Sequence, residues 1–294
     1  MGLLLFRLLS RLPFPVLHGL SDILYFLLAY GIRYRRRVIQ TNLAQAFPEK
    51  TPAERQAILS GFYRNFADLI VETLKLPDLT ADDLRSRTLF TNPEAVRPYL
   101  SAGKPVLIMA SHQCNWEWAP SAAVLNGFPA DAVYKTLENP FFENVVRQIR
   151  ATFGAKPVPM QHLLRDVVTR RNEPRLIALV ADQMPDVPEL AYWTSFLHQE
   201  TPFYTGSERL ARRYNLPVFF IEMQRTRRSH YELTFHQLAE PPYTDLPEGG
   251  LIDRYRDVLE YTIRKAPSDW LWSHKRWKHQ KEKYEKLMGK ISRK

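Results

Sequence analysis

Few side chains in this sequence combine a reactive type with a setting that could use it, and His112 and Glu117 are the clearest of them. They stand in Ala110-Ser111-His112-Gln113-Cys114-Asn115-Trp116-Glu117-Trp118, just after the apolar run Pro105-Val-Leu-Ile-Met-Ala110. A histidine with one ring nitrogen held by a carboxylate can use the other as a general base toward a hydroxyl. Inside one helix, five residues of separation would set the two side chains about 140° apart. Cooperation therefore requires His112 in a turn and Glu117 one turn into the helix that follows. The spacing alone does not separate such a pair from a histidine satisfied within the fold. A metal role lacks a third ligand nearby in sequence. Cys114 is the only cysteine, and nothing adjacent marks it as an activated nucleophile.

The elements that must position these residues alternate. Pro105 to Ala110 suits a strand buried on both faces, and ligands of open α/β sheets bind beyond the carboxyl ends of such strands. A helix through Trp118 to Leu125 should follow, then a short strand near Ala132 to Tyr134 and a helix from Pro140 to Phe153 ending at Gly154. Val158 to Met160 and Leu176 to Ala181 read as strands around a helix from Gln161 to Arg171. Ser207 to Tyr214 reads as a helix, Leu216 to Met223 and Tyr231 to Leu238 as strands, and Leu251 to Lys265 as a last helix. Upstream, Thr51-Pro52-Ala53-Glu54 has the form of a capping box, opening a helix that stops before Pro77. Another helix should start at Thr80. The expected fold class is α/β, a mainly parallel central sheet flanked by helices, with an N-terminal membrane-associated helical segment. The expected division is residues 1–40 for that segment and 41–294 for the α/β domain with a basic, aromatic tail.

The ends carry the charge. The net charge is +10 and the isoelectric point about 9.6, which calls for an anionic partner; nucleic acid, phospholipid headgroups and acidic carrier proteins all qualify. A single cysteine excludes an intramolecular disulfide. The apolar run Ile23 to Tyr30 is preceded by His18 and Asp22 and followed by Arg33, Arg35, Arg36 and Arg37. It falls short of the roughly 20 apolar residues of a spanning helix unless His18 and Asp22 are accommodated, so an interfacial helix competes with a spanning one. From Trp270 to Lys294, nine Lys/Arg stand against two Glu, with Trp270, Trp272, Trp277 and Tyr284 among them. Aromatics among cations suit a lipid interface, and a basic groove for single-stranded nucleic acid would accept them as well.

Several separated blocks carry a resemblance. They are Tyr34-Arg-Arg-Arg-Val with Asn42-Leu and Ala46-Phe-Pro48; Ser111-His112 with Glu117; Tyr134-Lys135 with Asn139-Pro140; and Arg150 four residues before Gly154. Ala181-Asp182-Gln183, Thr205-Gly206, and Ala266-Pro267 leading to Trp270-Leu-Trp272-Ser-His274-Lys-Arg-Trp277 follow. In this order and over nearly the whole chain, the sequence resembles the bacterial lipid A biosynthesis acyltransferases, the late lauroyl and myristoyl transferases related to the lysophospholipid acyltransferases. The resemblance implies an O-acyltransferase that moves a fatty acyl chain from an acyl carrier protein thioester to a hydroxyl of a lipid A precursor. His112 would be the general base, Glu117 its orienting carboxylate, and Arg150, Asp182, Lys135, Gln183 and Gly206 substrate-binding or supporting positions. No cofactor and no metal are implied. The partners would be acyl carrier protein, a lipid acceptor and an anionic membrane surface at the cytoplasmic face of the inner membrane, with no nucleic acid. Two departures stand out. Lys135 replaces the usual arginine and loses its bidentate geometry, and Tyr192 to Tyr204 lacks the usual Phe-Phe-Gly pattern. Other acceptors (an aminolipid, glycolipid or lysophospholipid) stay open, as does a non-catalytic membrane-binding protein with this fold.

Overall fold

The computed structural model describes residues 8–187, 190–279, 281 and 282. Tyr284 and the last ten residues of the basic tail lie outside that range.

The chain opens with α1 (Phe14–Phe26), prolonged by a π-helical turn through Gly31, then α2 (Arg36–Ala46) and α3 (Pro52–Lys75). The capping box at the head of α3 forms as the sequence expects: the Thr51 hydroxyl accepts from the Glu54 amide, and Glu54 accepts from the Thr51 amide. Thr80 and Asp83 repeat the device at the head of α4 (Ala81–Arg87). After β1 (Thr88–Phe90) and the short α5 (Arg97–Ser101) the alternation begins. It runs β2 (Val106–Ala110), α6 (Ala119–Leu125), β3 (Ala130–Tyr134), α7 (Pro140–Arg150), β4 (Lys156–Pro159), α8 (Leu163–Thr169) and β5 (Leu176–Val180). A hairpin of β6 (Tyr192–Phe196) and β7 (Gln199–Phe203) follows, then α9 (Gly206–Tyr214), β8 (Val218–Arg227), β9 (His230–Ala239) and α10 (Gly250–Lys265).

The main sheet has seven strands in the order β1-β9-β8-β2-β5-β3-β4. Strands β8, β2, β5, β3 and β4 are mutually parallel, and β9 reverses direction against β8, with β1 following it. This is the α/β fold with a mainly parallel central sheet that the sequence predicts. Alternation along β2 divides the core: Leu107 and Met109 pack with α2, α3, α9 and α10, while Val106 and Ile108 pack with α4, α6 and α7.

Helix α1 lies against this body. Its polar side chains, an obstacle to burial in lipid, are met by protein. His18 Nε2 is 2.8 Å from Ser229 Oγ, Ser21 donates to Asp68 at 2.6 Å, and Asp22 pairs with Arg228 at 2.8 Å. The opposite face presents Val16, Leu20, Ile23 and Leu27 to the outside, Ile23 at 66% exposure. Phe14–Gly31 is the one helical stretch among the described residues long and apolar enough to cross a bilayer.

The C-terminal aromatics require a correction. Trp270 and Trp272 are 2% and 0% exposed, and Trp277 donates to Thr201 and packs on Phe196 and Trp270. Trp270 and Trp272 are core, and Trp277 packs partly buried against it. Their neighbours in sequence are cationic, but the segment bridges the His112 loop at Trp270 and then winds through turns that bury the rings and leave Lys275 and Lys278 outside.

Candidate active site

Strand β2 ends at Ala110, and the loop from Ser111 to Trp118 lies across the carboxyl end of the sheet. Its shape is held at almost every residue. Gln113 pairs with Trp270 in an isolated antiparallel bridge, the Cys114 amide donates to Asp269 O, and Leu271 N donates to His112 O at 3.0 Å. Cys114 takes a positive φ of 52° and turns its thiol inward to Met223 O. Burial pushes that thiol well above its ordinary range, so Cys114 is a packing residue rather than a nucleophile. Asn115 is fully buried and donates to Glu72 Oε2 at 2.8 Å. Glu72, from α3, also accepts from Tyr231 and Ser229 and is itself fully buried. Burial pushes its carboxyl up against the pull of Arg225 and the three donors.

Within this frame His112 turns its ring toward the end of β5. Its Nδ1 is 2.6 Å from Asp182 Oδ1, and its backbone amide donates to Asp182 Oδ2 at 2.8 Å. Trp270 Nε1 donates to the same Oδ2 at 2.7 Å. Asp182 is 1% exposed. Burial alone would raise its carboxyl, but the charge of His112, the two bonds from that residue and the Trp270 bond outweigh burial and hold it below the usual carboxylate range. An acceptor on Nδ1 fixes the neutral ring as the Nδ1–H tautomer, which leaves Nε2 with its lone pair. That nitrogen faces Gln183 Nε2 at 3.3 Å.

Glu117 is placed differently from the sequence reading. It lies in the turn before α6 rather than one turn into the helix, and it does not reach the imidazole. Arg150, at the end of α7, grips it with Nε on Oε2 at 2.8 Å and Nη2 on Oε1 at 2.6 Å. Trp116 Nε1 donates to Glu117 Oε1 at 3.1 Å, and the Trp116 ring stands edge-on to the His112 ring at 4.9 Å between centroids. Glu117 thus touches His112 only by way of Trp116, while the carboxylate on the imidazole is Asp182. Seventy residues separate His112 from that partner, and only the folded sheet brings them together.

These groups open on a cavity of about 430 Å³. His112, Glu117, Lys135, Arg150 and Gln183 line its polar mouth. Deeper, it runs along one face of the sheet beneath α6, past Ile108, Ala123, Ala132, Leu176 and Ala178. Register explains the space: Ala178 sits beside Ile108 on one side and Ala132 on the other, so small side chains on adjacent strands leave a channel. Lys135 is exposed and paired with Asp186 at 2.8 Å. Gly206 stands at the head of α9, outside this cavity.

A family model described as bacterial lipid A biosynthesis acyltransferase matches residues 1–279. The chain belongs to the bacterial lipid A biosynthesis acyltransferase family. A lipid A biosynthesis acyltransferase of Haemophilus influenzae is 20% identical over 276 residues, covering 92% of this chain and 85% of the relative. Membership makes the protein an acyltransferase of the lipid A type, with a lipid acceptor and an acyl donor as its substrates. Of the positions that the resemblance names, His112, Glu117, Arg150, Lys135 and Gln183 line this cavity, Asp182 bonds to His112 behind it, and Gly206 lies outside. Sequence reasoning missed Trp270, Asn115 and Glu72. Trp270 stands in a matching block, but a ring among cations reads as a surface aromatic, and Glu72 carries no signal beyond being a carboxylate on the apolar face of a helix.

Proposed function

We propose that this acyltransferase moves a fatty acyl group from an acyl carrier protein thioester to a hydroxyl of a lipid A precursor, with His112 as the general base. The observation that carries the reading is one imidazole with Nδ1 on a buried carboxylate and Nε2 turned into a cavity that is polar at the mouth and apolar in depth. The acceptor hydroxyl gives its proton to His112 Nε2 as its oxygen attacks the thioester carbonyl carbon. The tetrahedral oxyanion collapses, the C–S bond breaks, and the imidazolium returns the proton to the departing thiolate. Asp182 stabilises the imidazolium, and no covalent acyl-enzyme forms. Gln183 donates to Nε2 in the free protein; an incoming hydroxyl takes its place and leaves the amide as a donor for the oxyanion.

The acyl chain lies in the apolar channel, and the lipid acceptor reaches the mouth from a membrane on which α1 rests. The outward apolar face of α1, with Arg33 and Arg37 exposed next to it, supports an interfacial seat at the cytoplasmic face of the inner membrane. The protein partners that meet His18, Ser21 and Asp22 favour that seat over a span.

The test uses purified protein, labelled acyl carrier protein and candidate acceptors: a lipid A precursor, an aminolipid, a glycolipid and a lysophospholipid. The wild type should acylate the lipid A precursor, and His112→Ala should lower kcat by about 10³-fold with vesicle binding intact. Undiminished turnover in His112→Ala would sink the general-base role. Preference for another acceptor would move the substrate assignment and leave the chemistry.

A further inference from the structure

We infer that the face built by α8 and α9 is the docking surface for the acidic carrier protein that delivers the acyl thioester. The inference rests on the proposed transfer from a carrier and adds where the carrier sits.

A second groove, about 340 Å³, runs between these helices over Leu163, Leu210 and Tyr214. It shares Met160, Val180 and Tyr204 with the catalytic cavity, so the two are neighbours through a common wall. A thioester on a long arm seated in this groove has only that wall of Met160, Val180 and Tyr204 between it and the His112 cavity. Two exposed cations of α9, Arg209 and Arg213, line the groove, and a third, Arg165, follows the lining residue Leu164 on α8. None is in an ion pair with a described carboxylate. The nearby carboxylates are occupied internally, Asp166 by Lys156 and Arg170, Asp186 by Lys135, and Glu208 by Arg212. The surface is therefore positive, with apolar Leu164 and Val168 exposed among the charges. An acidic protein helix carrying a few apolar side chains complements that pattern in charge and in character.

Topology argues for the same side. Helix α1 is held by Arg228 and Ser229, at the turn between β8 and β9. The groove lies where β5 and β4 end. In the strand order β8-β2-β5-β3-β4, the strand that leads into His112 stands between the two. Lipid can approach from the α1 flank while a soluble carrier approaches from the opposite one, and neither blocks the other.

The test compares two donors with the same acyl group, acyl carrier protein and the small thioester acyl-pantetheine. Arg209→Glu with Arg213→Glu should raise KM for the carrier by about tenfold or more and flatten its salt dependence. Transfer from acyl-pantetheine should stay within about twofold. Arg165→Glu alone should act in the same direction with a smaller effect, which guards against a fault particular to α9. Equal losses on both donors, or no change on either, would overturn the docking surface. So would a rise confined to KM for the lipid acceptor, or lost vesicle binding, since the face would then be a membrane contact. A wild-type protein that used acyl-pantetheine but not the carrier would overturn the surface and leave the acyltransferase reading standing.

Discussion

Two carboxylates flank the His112 loop, Asp182 from the end of β5 and Glu117 from the turn before α6, and their surroundings differ in kind. Glu117 meets a full guanidinium, both oxygens engaged by Arg150, so its charge is matched at rest. Asp182 meets a backbone amide, an indole and an imidazole, none of which need carry a charge in the free protein. Arg276 acts on Asp182 through space without a bond to it, and among the described residues the only group hydrogen-bonded to Asp182 that can become a cation is the imidazole of His112. On the proposed mechanism the difference divides the work: Asp182 would respond to the movement of a proton, and Glu117 would fix geometry through Arg150 and Trp116.

Asp182→Asn should break the comparison most sharply. The asparagine can keep the bond from the His112 amide, but its NH₂ would then face Nδ1 and force the proton to Nε2. The base nitrogen is lost with the fold intact. We expect kcat to fall by about 10³-fold, with little change in KM for either substrate and a melting temperature near that of the wild type. A kcat within about tenfold of wild type would mean that Asp182 is only a structural anchor.

Glu117 and Arg150 should behave as one unit. Their side chains are 13% and 19% exposed, so removing either partner leaves a mostly buried charge unmatched, at a cost of about 3 kcal/mol. Glu117→Gln and Arg150→Met should each lower kcat/KM by about 10 to 100-fold while destabilising the protein, because Trp116 and then His112 shift. The double variant should lose much less than the sum in both measures, as a double-mutant cycle reads it. If Glu117→Gln instead lowered kcat about 10³-fold with stability unchanged, Glu117 would be acting on the proton as Asp182 does.

What the sequence could disclose follows from the range of the forces involved. Strands β2 and β5 are legible because both faces are buried, which demands continuous Val, Leu and Ile, and the head of α3 because a capping box is local chemistry. The hairpin β6–β7 is not, because its turn places Leu197 and His198 at positive φ without a glycine or asparagine to mark it. Strand β1 is three residues long and owes its existence to β9. His112 and Glu117 could be paired from their spacing, but the partner each one takes lies 70 and 33 residues away. Trp270 shows the limit from the other side: composition saw a ring among lysines, and the bridge to Gln113, which decides that it is buried, is a long-range contact.

The smallest effect tests the same contrast from the neighbourhood of Asp182. Burial, helped by the nearby charge of Arg276, pushes half-buried His274 down from its ordinary 6.5 to about 4. Its folded form therefore binds fewer protons than the unfolded chain across that interval. The resulting stability is complete above pH 6.5 and is lost as pH falls from there toward about 4. Discounted for partial exposure, the loss between neutral pH and about pH 5 is on the order of 1–2 kcal/mol. Denaturant melts of the wild type and His274→Gln at both pH values should show that loss in the wild type and a smaller one in the variant. Equal slopes would mean that His274 titrates normally. It would then carry charge in mild acid near Asp182, a second titratable cation beside that carboxylate, and the contrast that singles out His112 as its proton partner would hold at neutral pH alone.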